Sequence, residues 1–359
     1  MIGTQTALDE LVAALEPQAQ IAVDTEFVRE KTYYPKLCLI QIATHDSVAC
    51  IDCLAQLDLQ PFYARLFRTN CTWVLHSARQ DLEVVWLATQ RLPPSLVDTQ
   101  IAAALIGFAP QIGLEGLLAR TLQVTLGESY ARTDWSRRPL PPAALAYALD
   151  DVRYLLPAWA HLEERLSALG RLAWFEEDSR RALAERPVAD APAVWARVKG
   201  VQGLPFAAQC AALGLVRWRE LAAQRADRPR RWILDDETLL ALAGALPQTV
   251  DDLAGLVPER LAARHGVALL GALAAREEPE AQAIVRAAAA QAAPDKKRVK
   301  SLQEDVRRRA AELGIEPEIL ATRRDLAALA VGSAPRHLRG GWRAAELERI
   351  ASAQVAPGT

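Results

Sequence analysis

The stretch DTEFVREKTYYPKLCLIQIAT, from Asp24 to Thr44, decides the fold. Ile21, Ala22 and Val23 lead into it and Phe27 and Val28 carry it on, so this segment has the composition of a strand inside a sheet. Asp24 and Glu26 break that pattern. Side chains alternate across a strand, so residues two apart share a face, and these carboxylates converge beside apolar neighbours. Like charges repel there, and burial disfavours the ionised form. A bound cation resolves the conflict; a frayed, hydrated strand end is the alternative.

Outward from this stretch, IAVDTEF, LCLIQIAT, SVACID and TWVLH are short β-like runs. Helical patterns follow in RQDLEVVWLAT, TQIAAALIG, GLEGLLARTL and PPAALAYALDDVRYLL. Strands that first form hairpins and then alternate with helices predict an α/β layer with a mixed sheet flanked by helices. From about Leu162 the strand signals stop, and Ala- and Leu-rich helix punctuated by Pro and Gly takes over. ERPVADAPAVW (Glu185 to Trp195) is expected to be a connector. QAAPDKKRVK (Gln291 to Lys300), with its basic cluster, is expected to be a second linker.

The chain has 359 residues, 51% of them hydrophobic, enough for two or three domains with sizeable cores. A formal net charge of −2 excludes a uniformly basic nucleic-acid coat but allows local patches, and the excess of Arg over Lys suits bidentate phosphate contacts. The opening MIGTQTALDELVAAL lacks a signal-peptide pattern, and no apolar run reaches the roughly 20 residues that span a bilayer. A cytoplasmic protein with no membrane partner is expected. The five cysteines are Cys38, Cys50, Cys53, Cys71 and Cys210. CIDC (Cys50 to Cys53) has the spacing of a metal knuckle, but no second pair follows it, so reduced structural thiols are expected.

Two more acidic points follow. TWVLH ends at His76, and Ser77 with Gln80 has the S-x-x-Q spacing of a capping box. Asp81 then falls in the first helical turn at the end of a sheet strand; acids are favoured there in any case, and His76 alone is more often structural. In YALDD, Tyr147 and Asp151 are four apart on a helix and share a face. A phenol beside a carboxylate orients a water or takes part in its deprotonation. At about 100° per residue, Leu145, Leu149, Val152, Leu156 and Trp159 form the predicted apolar stripe. Asp150 is expected to pair with Arg153. Asp24, Glu26, Asp81 and Asp151 together make an all-oxygen ligand set, suited to two hard divalent cations such as Mg²⁺ or Mn²⁺. Paired metals of that kind serve in-line attack on phosphodiesters.

DTEF (Asp24 to Phe27), HSARQDLE (His76 to Glu83), TDWSRRPL (Thr133 to Leu140) and YALDDVRYLLP (Tyr147 to Pro157) occur in that order. In these motifs the sequence resembles the DEDD superfamily of 3′–5′ exonucleases, in its tyrosine-bearing branch, and within it the ribonuclease D family. The resemblance implies a ribonuclease H-like fold. It also implies that Asp24 bridges two metals, that Glu26 and Asp151 complete one, and that Asp81 holds the other. Tyr147 would position the attacking water. LVRWRE, ILDDETLLALA and LPQTVDDL resemble the helical HRDC domain, and AAELGIEPEILATRRDLAALA looks like a degenerate second copy. The implied organisation is an exonuclease domain over 1–192, an HRDC domain over 205–288 and a degenerate HRDC-like domain over 297–359. All the site residues precede Pro192, so residues 1–192 are expected to fold without the helical half.

The expected activity is metal-dependent 3′–5′ exoribonucleolytic trimming of tRNA precursors or other small structured RNAs, releasing nucleoside 5′-monophosphates. A DNA exonuclease and a non-catalytic RNA-binding adaptor are the alternatives. Arg132, Arg137 and Arg138 are candidate phosphate contacts, and Phe27, Trp135 and Tyr154 either stack bases or fill the core.

Overall fold

Five strands form one mixed sheet: β1 (Gln20–Val28), β2 (Lys36–Ala43), β3 (Val48–Asp52), β4 (Thr72–Leu75) and β5 (Ser95–Asp98). Their spatial order is β3-β2-β1-β4-β5. The structure, a computed structural model, describes residues 1–16, 18–291 and 295–355. β1 lies at the centre, antiparallel to β2 and parallel to β4; β2 and β3 pair antiparallel, β4 and β5 parallel. This is the predicted mixed sheet, with hairpins on one side of β1 and crossovers on the other. The strand β5 and the helices Gln5–Leu15 and Gln60–Leu66 carry no prediction from sequence.

Alternation sorts β1 between two cores. Ile21 and Val23 bury with Ile40, Ile42, Ile51, Trp73 and Leu75 against Leu8, Leu15, Phe62 and Leu66. Ala22 turns the other way, into a core with Val74, Val97, Leu155, Leu156 and Trp159. The parallel pairing of β1 with β4 runs only from Gln20 opposite Thr72 to Ala22 opposite Val74, whereas the antiparallel ladder with β2 continues to Val28. Asp24 and Glu26 therefore lie on β1 beyond its pairing with β4, at the point where the sheet changes from antiparallel to parallel. Crevices at such topological switch points are where open sheets bind ligands. A register shift between Glu26 and Phe27 marks a bulge there.

The chain divides into two compact units. The first contains Met1–Val28, Lys36–Pro187 and the described residues from Asp295 onward. Val306, Ala310, Leu320, Leu326 and Trp342 enter the same core as Val74 and Leu156. Trp342 stacks on Trp174 with ring centroids 4.3 Å apart, and Arg343 grips Asp178 through both terminal guanidinium nitrogens. This shared core argues against residues 1–192 folding without the C-terminal helices. Of the linker expected over Gln291–Lys300, residues 292–294 lie outside the described residues, as do 356–359 of the expected last domain. The basic cluster itself is helical: Lys296–Leu313 is one helix, and Asp295 caps it by accepting from the Lys297 amide at 2.9 Å. A capped start converts the charge run from linker to helix.

The second unit contains Arg29–Pro35 and the described residues of 188–294. It is all helical around the helix Phe206–Ala226, with Trp195, Leu213, Val216, Leu242, Leu269 and Val285 in its core. Gly214 allows its closest approach: an added Cβ would stand 2.0 Å from the Ala272 carbonyl oxygen. Segment 29–35 belongs to this unit through Tyr33, whose hydroxyl donates to Glu220 at 2.8 Å and whose amide donates to Asp227 at 3.0 Å.

Candidate active site

The helix Pro142–Arg153 carries Tyr147 and Asp151. Its buried stripe is Ala144, Ala148 and Val152, whereas Leu145 and Leu149 of the predicted stripe are only partly buried. Two alanines instead of two leucines let the helix pack closely beside Leu39 and Cys50 of the sheet. The helix also stops at Arg153; Tyr154 separates it from Leu155–Ala168, so the predicted continuous helix is two. This packing brings Asp151 to β1: carboxylate oxygens of Asp24, Glu26 and Asp151 all lie within 4.8 Å of one another.

Asp81 arrives from the helix Arg79–Thr89. Thr25, between the two strand acids, faces the opposite way by alternation, and its amide and hydroxyl donate to Asp81 Oδ1 at 3.1 and 2.5 Å. Sequence reasoning passed over Thr25; strand alternation was the signal that distinguished it. The S-x-x-Q capping box does not form. Ser77 has a positive φ of 60°, Ala78 is the N-cap residue without a side-chain cap, and Asp98 at the end of β5 accepts from the Ser77 and Ala78 amides at 3.0 and 2.9 Å. A carboxylate from the neighbouring strand thus replaces the local hydroxyl. His76 is held structurally: Nε2 donates to the Ile112 carbonyl at 3.0 Å, and Nδ1 meets the Thr99 hydroxyl at 2.9 Å.

The four acids hold protons far more tightly than free carboxyls. Burial and the neighbouring charges of Asp81, Asp151 and Glu26 push Asp24 well above its ordinary range. Burial, then Asp151 and Asp81, raise Glu26 to about 9. Burial raises Asp151 to about 7, partly offset by the Tyr147 hydroxyl, and raises Asp81 to about 6 against the hydrogen bonds from Thr25. The strongest charged neighbours of Asp24 are all acids. A half-buried cluster of carboxylates, offering only oxygens, fits divalent cations. Tyr147 is pushed up by burial and by Asp151, so its phenol stays protonated at neutral pH.

Asp24, Glu26, Asp81, Tyr147 and Asp151 all line one open cleft of about 650 Å³, with Phe27, His76 and the exposed Arg79 on its walls. Trp135 is 1% exposed and stacks on Tyr147 at 6.3 Å, so it supports the phenol and is closed to bases. Arg138 is structural: Nη2 and Nε bind Asp52 at 2.6 and 2.7 Å, and Nη1 and Nη2 donate to the Trp135 and Cys38 carbonyls. Arg137 pairs with Asp134 at 3.1 Å, and Arg132 is exposed. The exposed Arg79, which the motifs did not single out, is the arginine on the cleft wall. Cys50 and Cys53 are free thiols, both raised to about 12, chiefly by burial.

A family model described as 3′-5′ exonuclease matches residues 1–167, and one described as HRDC domain matches 213–273. Fold and matches together define a DEDD-type 3′–5′ exonuclease with a helical HRDC module. Ribonuclease D of Xanthomonas oryzae pv. oryzae is 39% identical over 98% of this chain and 95% of its own length. The crystal structure of Escherichia coli RNase D, an exoribonuclease involved in structured RNA processing, matches with a TM-score of 0.83 at 30% identity, over 100% of this chain and 99% of that one. The catalytic core of RRP6 from Trypanosoma brucei matches with a TM-score of 0.58 at 26% identity, over 77% of this chain and 79% of that one. The chain belongs to the ribonuclease D family, whose members hydrolyse RNA exonucleolytically from the 3′ end. The family implies divalent metal ions and RNA substrates. Among the described residues, no helix is long and apolar enough to cross a membrane.

Proposed function

We propose that this enzyme trims the 3′ ends of tRNA precursors and other small structured RNAs in the cytoplasm, using two Mg²⁺ or Mn²⁺ ions. The convergence of Asp24, Glu26 and Asp151 within 4.8 Å carries the reading. Asp24, Glu26 and Asp151 would hold one cation, and Asp24 with Asp81 the other. When bound, the cations stabilise charge on the entering and leaving oxygens of the scissile phosphodiester. Tyr147, a protonated phenol on the cleft wall, orients the attacking water. Thr25 fixes the Asp81 carboxylate through its two hydrogen bonds. The products are nucleoside 5′-monophosphates. We assign the exonuclease region to 1–192, the HRDC domain to 205–288 and the degenerate HRDC-like region to 297–359, whose described helices complete the core of the first.

The helical unit supports RNA binding by charge and shape. A groove of about 400 Å³ is lined by Arg231, Arg260, Arg264 and His265, with Trp232 half-exposed on its wall. The three arginines are in no ion pair among the described residues. The one acid in the groove, Asp235, is occupied as a helix cap by Thr238. Guanidinium groups around an exposed indole suit a single strand, with phosphates on the arginines and a base on the ring.

The decisive assay follows nucleotide release from a tRNA precursor with an extended 3′ end, in Mg²⁺, in Mn²⁺ and in chelator. Stepwise release of 5′-monophosphates that stops in chelator is expected; equal trimming of a DNA oligonucleotide would favour the DNA exonuclease. Replacing Arg231, Arg260 and Arg264 by Ala is expected to lower the salt slope of RNA binding by about 2. An unchanged slope would make the groove a solvated face.

A further inference from the structure

Gln41 is fully buried, and neither its amide nitrogen nor its amide oxygen has a hydrogen-bond partner. Protein cores rarely leave such groups unpaired. Its place in the sheet explains what it is for. In the β1–β2 ladder Gln41 stands directly opposite Asp24, and in the β2–β3 ladder it stands opposite Cys50. Directly opposed residues share a face, with Cβ atoms about 4.5–5.5 Å apart. The amide therefore projects on the side of the sheet that bears Asp24 and Glu26, within side-chain reach of the Asp24 carboxylate. The Cys50 thiol, one strand farther out, already feels the charges of Glu26 and Asp24. The helix over this part of the sheet packs with Ala144 and Ala148, which offer no side-chain hydrogen bond. The other unpartnered polar group in this small core is the Trp135 indole nitrogen, which can only donate. It leaves the two N–H donors of Gln41 without an acceptor.

We propose that Gln41 is a positioning residue of the metal site: its amide nitrogen, unpartnered in this structure, donates to the Asp24 carboxylate when cations are bound and so orients it as a ligand. This rests on the metal reading of the acidic cluster. A neutral amide suits the position. It supplies a donor without a positive charge that would compete with the cations, and without a negative charge that would add to the repulsion among four acids. Hydrogen bonds of this kind, made to ligands rather than to the metal, set ligand orientation and affinity.

The test measures Mn²⁺ binding to the full-length protein by titration calorimetry, beside thermal unfolding of the metal-free form. Gln41→Met keeps the length of the side chain and removes both polar atoms; Gln41→Leu serves the same purpose if the methionine variant does not fold. Mn²⁺ affinity is expected to fall about tenfold to a hundredfold, with metal-free melting temperature unchanged or raised. Affinity within about twofold of the unaltered protein, with a lowered melting temperature, would overturn the assignment and make Gln41 a structural partner of Trp135. Absence of Mn²⁺ binding by the unaltered protein would remove the metal reading itself, and this assignment with it.

Discussion

Asp24 shows how one side chain sets both stability and chemistry. It is surrounded by acids, so Asp24→Asn is expected to abolish nucleotide release while raising the melting temperature of the metal-free protein. Near-normal Mg²⁺-dependent release by that variant would refute its place as a ligand. The same crowding gives a pH dependence of definite sign. Asp81, Asp151 and Glu26 have folded-state values of about 6, 7 and 9, above the roughly 4 of an unfolded carboxyl. Between the unfolded and folded values the native protein holds more protons than the unfolded chain, so its stability falls as pH rises. This contribution is fully present below the unfolded values and is lost as pH passes through the folded ones. Melts in chelator are therefore expected to move to lower temperature from about pH 5 to about pH 9, and saturating Mg²⁺ to flatten the trend. A metal-free protein that gains stability over that range would contradict the grouping. Asp150 and Asp151 make the sharpest contrast. Asp150 pairs with Arg153 at 2.9 Å, both partly exposed, a pair worth about 0.3–0.5 kcal/mol. Asp150→Asn is expected to leave nucleotide release nearly unchanged and Asp151→Asn to eliminate it; parallel assays decide, and the reverse ranking would refute the assignment.

At the scale of elements, legibility followed periodicity. β1 and β2 were legible because each places several apolar residues on both sides of a short run, and the two acids of β1 stood out against them. β5 was not, because SLVD offers four residues after a Pro-Pro pair and owes its place to pairing with β4. The helix Pro142–Arg153 was legible as a helix but not in its buried face, since alanines carry little hydrophobic signal and gain their role from closeness to the sheet. The capping of Arg79–Thr89 was misjudged for a related reason: the acceptor, Asp98, is distant in sequence. Arg138, the second arginine of TDWSRRPL, was legible as part of a motif but not as a clamp. Because Arg138 ties Asp52 to the carbonyls of Trp135 and Cys38, Arg138→Ala is expected to cost about 3 kcal/mol. The loss would loosen the loop that holds Trp135 beneath Tyr147. Urea unfolding measures the first effect and kcat the second; full stability in the variant would show the pair to be dispensable.

In the whole molecule, motif order located the nuclease and the HRDC module, but not which helices complete which core. A chain cut after Pro192 would lose Val306, Ala310, Leu320, Leu326 and Trp342 from the core that carries Leu156 and Trp159. Large-to-small changes at single core positions already cost about 2–5 kcal/mol each, so this truncation is expected to aggregate or to unfold without a cooperative transition. A soluble fragment with a sharp calorimetric transition would show the C-terminal helices to be optional. The sharing of that core also has a consequence for the order of events during synthesis. Domains ordinarily fold as they leave the ribosome, N-terminal part first, and contacts distant in sequence form slowly. Here residues near 156 must wait for partners beyond 300. A nascent chain thus holds every acid of the site long before it holds the helices that complete the core behind the sheet's helices Leu155–Ala168 and Thr99–Leu105. The nuclease unit therefore completes its core only once the helices beyond residue 300 have been made.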